Sequence, residues 1–283
     1  MYTEQRSSLG YELKEVLGSE RDYGISFGVD RFSNVPSTDF VLRSLAPLPA
    51  YAVLLGMCSD GAPLYLSMLD PATGPILMSA ADRVTIDRFL FNVVHSICAA
   101  NDVQMVNILV FTPTADERWT KVQAACSADG RESGISIHQD ARNFLQDMSA
   151  RVDRHLLTQS TETMHVCIIV SLEAFVSQIG VRGAAYFKRI LPLSPYIQVW
   201  PIACVDAAKF ERIEPALIRR FGTHVIGHIP THTSVPCDLW TDEIDYSGLV
   251  PGVEVVIVSG EQSEGVWIPN PIDTHVQNRK GGV

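Results

Sequence analysis

Apolar residues recur along this chain in two different rhythms, and the rhythm changes near Gly74. Before that point, Tyr51–Met57 and Leu64–Leu69 are short runs of strand-forming residues flanking Cys58-Ser59-Asp60-Gly61, and the Asp-Gly step predicts a β-hairpin. The fifty residues ahead of the hairpin are mixed. Tyr11–Leu17 reads as a short helix and Gly24–Val29 as a short strand, while the prolines in Ser33–Thr38 and Leu45–Ala50 mark connecting loops. From Gly74 onward the chain alternates strand and helix. Pro75–Met78 is a short buried strand, and Ile86, Phe89, Leu90, Val93, Val94 and Ile97 then fall at helical spacing with Asp87, Arg88, Asn92 and Ser96 on other faces. Gln104–Phe111 is a second buried strand, Asp116–Cys126 and Ala141–Leu157 carry helical patterns, and Val166–Val170 is a β-branched run fit for a central parallel strand. Arg182–Ile190 predicts a helix, Ile197–Val205 a strand, Phe210–Arg220 a helix and His224–Ile229 a strand. Glu254–Val258 and Gly265–Ile268 close the pattern around Gly260-Glu261-Gln262.

Nearly continuous apolar strands alternating with helices require a sheet covered on both faces and joined by right-handed crossovers. The fold class is therefore α/β, a three-layer domain with a mostly parallel central sheet and an N-terminal β-hairpin leading into it. The expected organisation is a mixed extension over 1–50, the α/β domain over 51–270 and a flexible tail over 271–283. Ligands of such sheets bind beyond the carboxyl ends of the strands, which directs attention to the loops Ser79–Thr85, Thr112–Asp116 and Ser171–Gln178.

Composition narrows the functional classes. The chain has 283 residues, 46% of them hydrophobic, enough for one large core. Its longest apolar runs fall short of the roughly 18–20 residues of a membrane span, and its polar start lacks an apolar signal core, so a cytoplasmic protein is expected. The formal net charge of −10 and the absence of a basic run argue against autonomous nucleic-acid binding. Six scattered cysteines without a CxxC pair read as reduced thiols in apolar surroundings.

The segment GAPLYLSMLDPATGPILMSAADRVTIDRFLFNVVHSICAANDVQMVNILVF resembles the nucleotide-binding core of FtsK/HerA-type P-loop ATPases, in which a hairpin precedes a strand, a phosphate loop, a long helix and a second strand. MHVCIIVSLEAF resembles that family's acidic strand, and SPYIQVWPIACVDAAKFERIEPALIRRFGTHVIGHI the strand, helix and closing strand that follow. The resemblance implies a P-loop NTPase-like fold over about 51–270, and it implies where an ATP site would lie. A phosphate loop needs glycines for close backbone approach, a lysine for the β/γ oxygens and a Ser/Thr hydroxyl for Mg²⁺. An ungapped register from Gly74 puts Ala81, Val84 and Ile86 at the glycine positions, Asp87 at the lysine and Arg88 at the Ser/Thr. Asp87 would repel a phosphate, and Arg88 cannot ligate Mg²⁺, although it could touch a phosphate oxygen. No glycine lies between Gly74 and Gly130 and no lysine between Lys14 and Lys121, so no other register restores the loop. The plain reading is a strand, a turn and a helix N-capped by Asp82. On the acidic strand, Ser171 takes the aspartate place and Leu172 the next, with Glu173 one step further on.

These substitutions predict a catalytically inactive, pseudo-ATPase domain that serves as a structural or regulatory subunit beside an active ATPase or its own copies, with no cofactor and no metal. Two alternatives stay open: an ATP-driven DNA translocase with an atypical site, and a Rossmann-like module for another ligand. Arg219 and Arg220 precede the closing strand, and in ring ATPases an arginine from one subunit can complete a neighbour's site. His224, His228 and His232 recur every fourth residue ahead of Cys237, a spacing compatible with a metal site but broken by Gly227 and Pro230. No GxSxG, GxGxxG or HExxH pattern supports other catalysis.

Overall fold

A computed structural model describes residues 35–102, 104–126, 134–158, 163–233, 244–260 and 262–270. The expectations for Tyr11–Leu17, Gly24–Val29 and the tail lie outside these residues. Ten strands form one sheet: β1 (Ala52–Cys58), β2 (Pro63–Ser67), β3 (Ile76–Ala80), β4 (Val106–Phe111), β5 (Ile135–His138), β6 (Met164–Ile169), β7 (Val199–Asp206), β8 (Thr223–Ile226), β9 (Glu254–Ser259) and β10 (Gln262–Trp267). Their order is β2-β1-β10-β9-β8-β3-β7-β6-β4-β5. The block from β8 to β5 is parallel, and the four strands at the other end pair antiparallel. The hairpin therefore continues the parallel sheet as its antiparallel flank, and the mostly parallel α/β architecture expected from the pattern is present.

The helices are α1 (Thr38–Leu45), α2 (Arg83–Ala100), α3 (Glu117–Cys126), α4 (Ala141–Thr158), α5 (Leu172–Ile190) and the single turn α6 (Pro215–Ile218). Strand pleating sorts the core into two halves. Ile76 and Met78 of β3, with Val106, Ile108 and Val110 of β4, face α2 and Trp119 of α3. Leu77, Leu109 and Phe111 face the opposite way, where Phe111, Phe144, Phe175 and Phe187 form a chain of rings 5.2–6.1 Å apart that ties β4, α4 and α5 together. Edge-to-face rings at such distances add about 0.5–1.5 kcal/mol per pair beyond the area they bury. A third cluster joins Val41 and Leu42 of α1 to Leu54, Met57, Val253 and Trp267 on the antiparallel flank.

Four elements depart from the pattern-based reading. α1 was not foreseen; Ser37 caps it by accepting from the Phe40 amide at 3.2 Å. Four-residue β5 is too short to show a period. Of Ser171–Gln178 only Ser171 stands outside α5: it N-caps the helix, and Leu172, Phe175 and Ile179 recur on its buried face. The helix passes through Gly180, whose φ of 68° and ψ of −176° only glycine adopts without strain, and the break there hid the first half of the pattern. Phe210–Arg220 is not one helix but a 3-10 turn (Ala207–Arg212) followed by α6, because Pro215 lacks the amide needed to continue from the turn and instead starts the second piece at its first position.

Two polar groups pin the flank to α2. Asn92, fully buried, donates to the Leu54 carbonyl at 2.7 Å and accepts from Thr38 Oγ1 at 3.1 Å. Asn101 at the other end of α2 accepts from the Tyr51 amide at 2.7 Å and donates to the Ile97 carbonyl at 3.0 Å. Among the described residues no helix is long and apolar enough to cross a membrane.

Asn92→Ala leaves the Leu54 carbonyl without this donor in a buried interface, and urea unfolding of the variant should show a loss of about 1–3 kcal/mol; an unchanged midpoint would mean that the flank is not anchored there. A second expectation concerns His165 of β6, whose Nδ1 lies 3.0 Å from Arg151 Nη1. Burial first, then Arg151 and Arg154, push its pKa from 6.5 down to about 4. Between those values the unfolded chain binds a proton that the folded chain refuses. The contribution of the neutral imidazole is thus complete above the unfolded value and is lost as pH falls through the window to about 4. His165→Gln should lose less stability than the wild type between about pH 7.5 and about pH 5; equal acid losses in the two proteins would contradict this assignment.

Candidate functional site

The carboxyl ends of β3, β4, β6 and β7 lie side by side in the sheet, so the residues leaving them share one edge. At β3 the chain has only Ala81 and Asp82 before α2 begins. Asp82 N-caps the helix: its Oδ1 accepts from the Thr85 amide at 2.7 Å, and the Thr85 hydroxyl meets Oδ2 at 2.7 Å. That hydroxyl also accepts from the Gly252 amide at 2.6 Å, and Thr85 is fully buried. The Ala81 amide donates to the His228 carbonyl at 2.9 Å. Behind the turn, Gly227 passes so close that a Cβ there would lie 2.7 Å from Thr85 Cγ2. The turn is thereby filled from within by side-chain and backbone partners.

Because α2 starts at Arg83, Asp87 and Arg88 sit in its second turn. Asp87, with 10% of its side chain exposed, is gripped by two guanidiniums: Arg83 Nε at 2.8 Å, one helical turn earlier, and Arg118 from the start of α3. Arg118 also holds Asp116 at 2.7 Å and lies over the Phe91 ring, 5.9 Å from its centroid. The Arg118 bond keeps the Asp116 carboxyl below its ordinary pKa. Arg88 turns away from this cluster; its Nε donates to the Pro269 carbonyl at 3.1 Å, and burial lowers its pKa to about 10. Ile86 is in the core, Ala81 is half-buried and Val84 is exposed.

A second cluster lies at the exits of β6 and β7. Glu173, in the first turn of α5 with 11% of its side chain exposed, accepts from Lys209 Nζ at 3.1 Å, and Lys209 reaches Asp206 at 3.1 Å. The bond to Glu173, then that to Asp206, raises the Lys209 pKa. Ser171 caps α5, accepting from the Ala174 amide at 3.3 Å, while Leu172 is buried.

The structure thus brings Asp87 and Glu173 to the same edge but assigns both to ion pairs. Arg219 and Arg220 are exposed after α6, ahead of β8, and so lie at the amino end of the parallel strands, away from this edge. Of the three histidines, His224 is on β8 with its pKa lowered by burial, His228 Nδ1 lies 3.1 Å from the Leu249 carbonyl and His232 is exposed. Cys237 lies outside the described residues, among which no group of three or more His, Cys, Asp or Glu side chains could hold a metal. Reading the sequence missed Arg83, Asp116, Arg118, Asp206 and Lys209. The i,i+4 spacing of Arg83 and Asp87 and the i,i+3 spacing of Asp206 and Lys209 were visible signals; the links from Arg118 to Asp87 and from Lys209 to Glu173 depend on tertiary structure.

No family model matches the chain, and no curated protein matches it in sequence. Solved structures do. The cytoplasmic domain of EssC is similar at a TM-score of 0.60 and 11% identity, over 83% of this chain and 46% of that one. EssC (ATPases 2 and 3) from Geobacillus thermodenitrificans gives 0.60 and 12%, over 84% and 44%. The cytoplasmic domain of the Thermomonospora curvata type VII secretion ATPase EccC gives 0.58 and 12%, over 81% and 28%. The chain spans less than half the length of each of these. At such identities the likeness speaks for the fold alone, which this chain shares with these EssC and EccC domains.

Proposed function

We propose that this chain is a non-hydrolysing domain of P-loop ATPase fold that works as a structural or regulatory subunit, packed with an active ATPase of the same fold or with its own copies. The observation that carries the reading is the two-residue junction between β3 and α2, closed by the Asp82–Thr85 cap and backed by the Asp87–Arg83–Arg118 cluster. A phosphate cradle needs a longer glycine-rich turn whose free amides converge on the anion. Here two amides of the turn are committed, to the Asp82 carboxylate and the His228 carbonyl, and the Thr85 hydroxyl is shared between Asp82 and Gly252.

The donor set for Mg²⁺ fits no better. Ser171 offers no charge, and the carboxylates of the adjoining cluster, Glu173 and Asp206, are both engaged by Lys209. The residues present therefore do not suit Mg-ATP. A role through protein contact is supported by the preserved fold, and by the likeness to structures of which one is named as a type VII secretion ATPase and another as ATPases 2 and 3 of EssC. The Rossmann-like alternative loses ground to the same fold likeness.

Calorimetric titration of the full chain with ATP and MgCl₂ should be silent, and phosphate release should stay at the background of a denatured sample. Saturable heat, or hydrolysis abolished by Glu173→Gln or Arg88→Ala, would overturn the reading in favour of an ATP-driven enzyme with an atypical site.

A further inference from the structure

The two ion clusters at the carboxyl edge have related plans with opposite signs. In one, two cationic groups, Arg83 and Arg118, flank the carboxylate of Asp87, and Arg118 is also held by Asp116. In the other, two carboxylates, Glu173 and Asp206, flank one ammonium, Lys209. Guanidiniums are the partners that a phosphate seeks, and paired carboxylates are the partners that a divalent cation seeks. In each cluster the outer pair carries the charge that would attract a ligand, and the central group carries the ligand's own charge. The clusters also adjoin. Arg83 Nη1 donates at 3.4 Å to the carbonyl of Val170, the residue before Ser171. Glu173 Oε2 is buried without a hydrogen-bond partner among the described residues, an acceptor that the single ammonium leaves unused.

Resting on the reading that Mg-ATP does not bind, we propose that this edge is self-liganded: Asp87 is a standing anion between Arg83 and Arg118, Lys209 is a standing cation between Glu173 and Asp206, and together they hold the domain in the charge arrangement of a filled nucleotide site. Tethered groups lose no translational freedom when they occupy the edge, so they outcompete a free ion of the same charge. The domain then offers its neighbours a permanently occupied face, independent of nucleotide supply.

The test exchanges each standing ion for its free counterpart in the full chain. The wild-type melting midpoint should move neither with millimolar MnCl₂ nor with tripolyphosphate beyond the effect of NaCl at equal ionic strength. Lys209→Ala should gain about 2–4 °C with MnCl₂ and nothing with tripolyphosphate, the response of a domain this size to a ligand at several times its Kd. Asp87→Ser should gain a similar amount with tripolyphosphate and nothing with MnCl₂, and adding Arg118→Gln should abolish that gain. Should Asp87→Ser fail to fold, Asp87→Asn removes the charge while keeping the shape. A folded variant that ignores its own probe, or a wild type that responds as strongly as the variants, overturns the proposal. If the variants are unresponsive while the wild type stays silent to Mg-ATP, self-liganding alone is removed and the inactive-domain reading stands.

Discussion

The carboxyl end of β3 must turn into α2 within two residues, and much of the edge is arranged around that constraint. So short a turn exposes the first amides of an 18-residue helix with no loop to cover them, and Asp82 answers by capping Thr85. Once Thr85 is fixed, its hydroxyl sets the position of the Gly252 amide ahead of β9, and its methyl leaves room for nothing larger than glycine at 227 behind β8. One cap therefore joins the entry to the parallel block, the exit from it and the start of the antiparallel flank. The same start at Arg83 places Asp87 one turn further on, where it meets Arg83 along the helix and Arg118 across it.

Electrostatics at the edge follow from burial more than from net charge. The chain is acidic overall, with 32 acidic against 22 basic residues, yet its two least exposed edge carboxylates, Asp87 and Glu173, both carry cationic partners. An uncompensated carboxylate at such depth would be costly, whereas a paired one is close to neutral in its effect on stability. Arg83 and Arg118, 46% and 49% exposed, keep part of their hydration, so these contacts bind the edge together without the full penalty of burying both charges.

Much of this was legible in the chain. The strands of the parallel block read as uninterrupted apolar runs because both faces are covered, and α2 announced itself by six apolar positions at helical spacing. The Asp82 cap was readable because an aspartate stands just ahead of that helical run. What escaped has physical causes. A four-residue strand such as β5 shows no period, and α1 hid between proline-containing segments. The glycine that breaks α5 cut its pattern in half, and Pro215 splits what looked like one amphipathic helix into a 3-10 turn and a separate single turn. At the site, sequence showed which phosphate- and metal-binding side chains are missing, because absence needs no geometry. It could not show what stands in their place, because Arg118 and Lys209 reach Asp87 and Glu173 across 31 and 36 residues of chain.

A binding site must keep some of its polar groups unsatisfied until a ligand arrives, and that reserve costs stability. The carboxyl edge of this domain keeps little such reserve: the helix caps are made, the Thr85 hydroxyl is shared, and both clusters close their charges on themselves, with Glu173 Oε2 a remaining acceptor. The fold likeness and the filled edge then stop being at odds. A sheet of this order brings four strand ends together whatever leaves them, and here those ends satisfy one another through the ion pairs of Asp87 and Glu173.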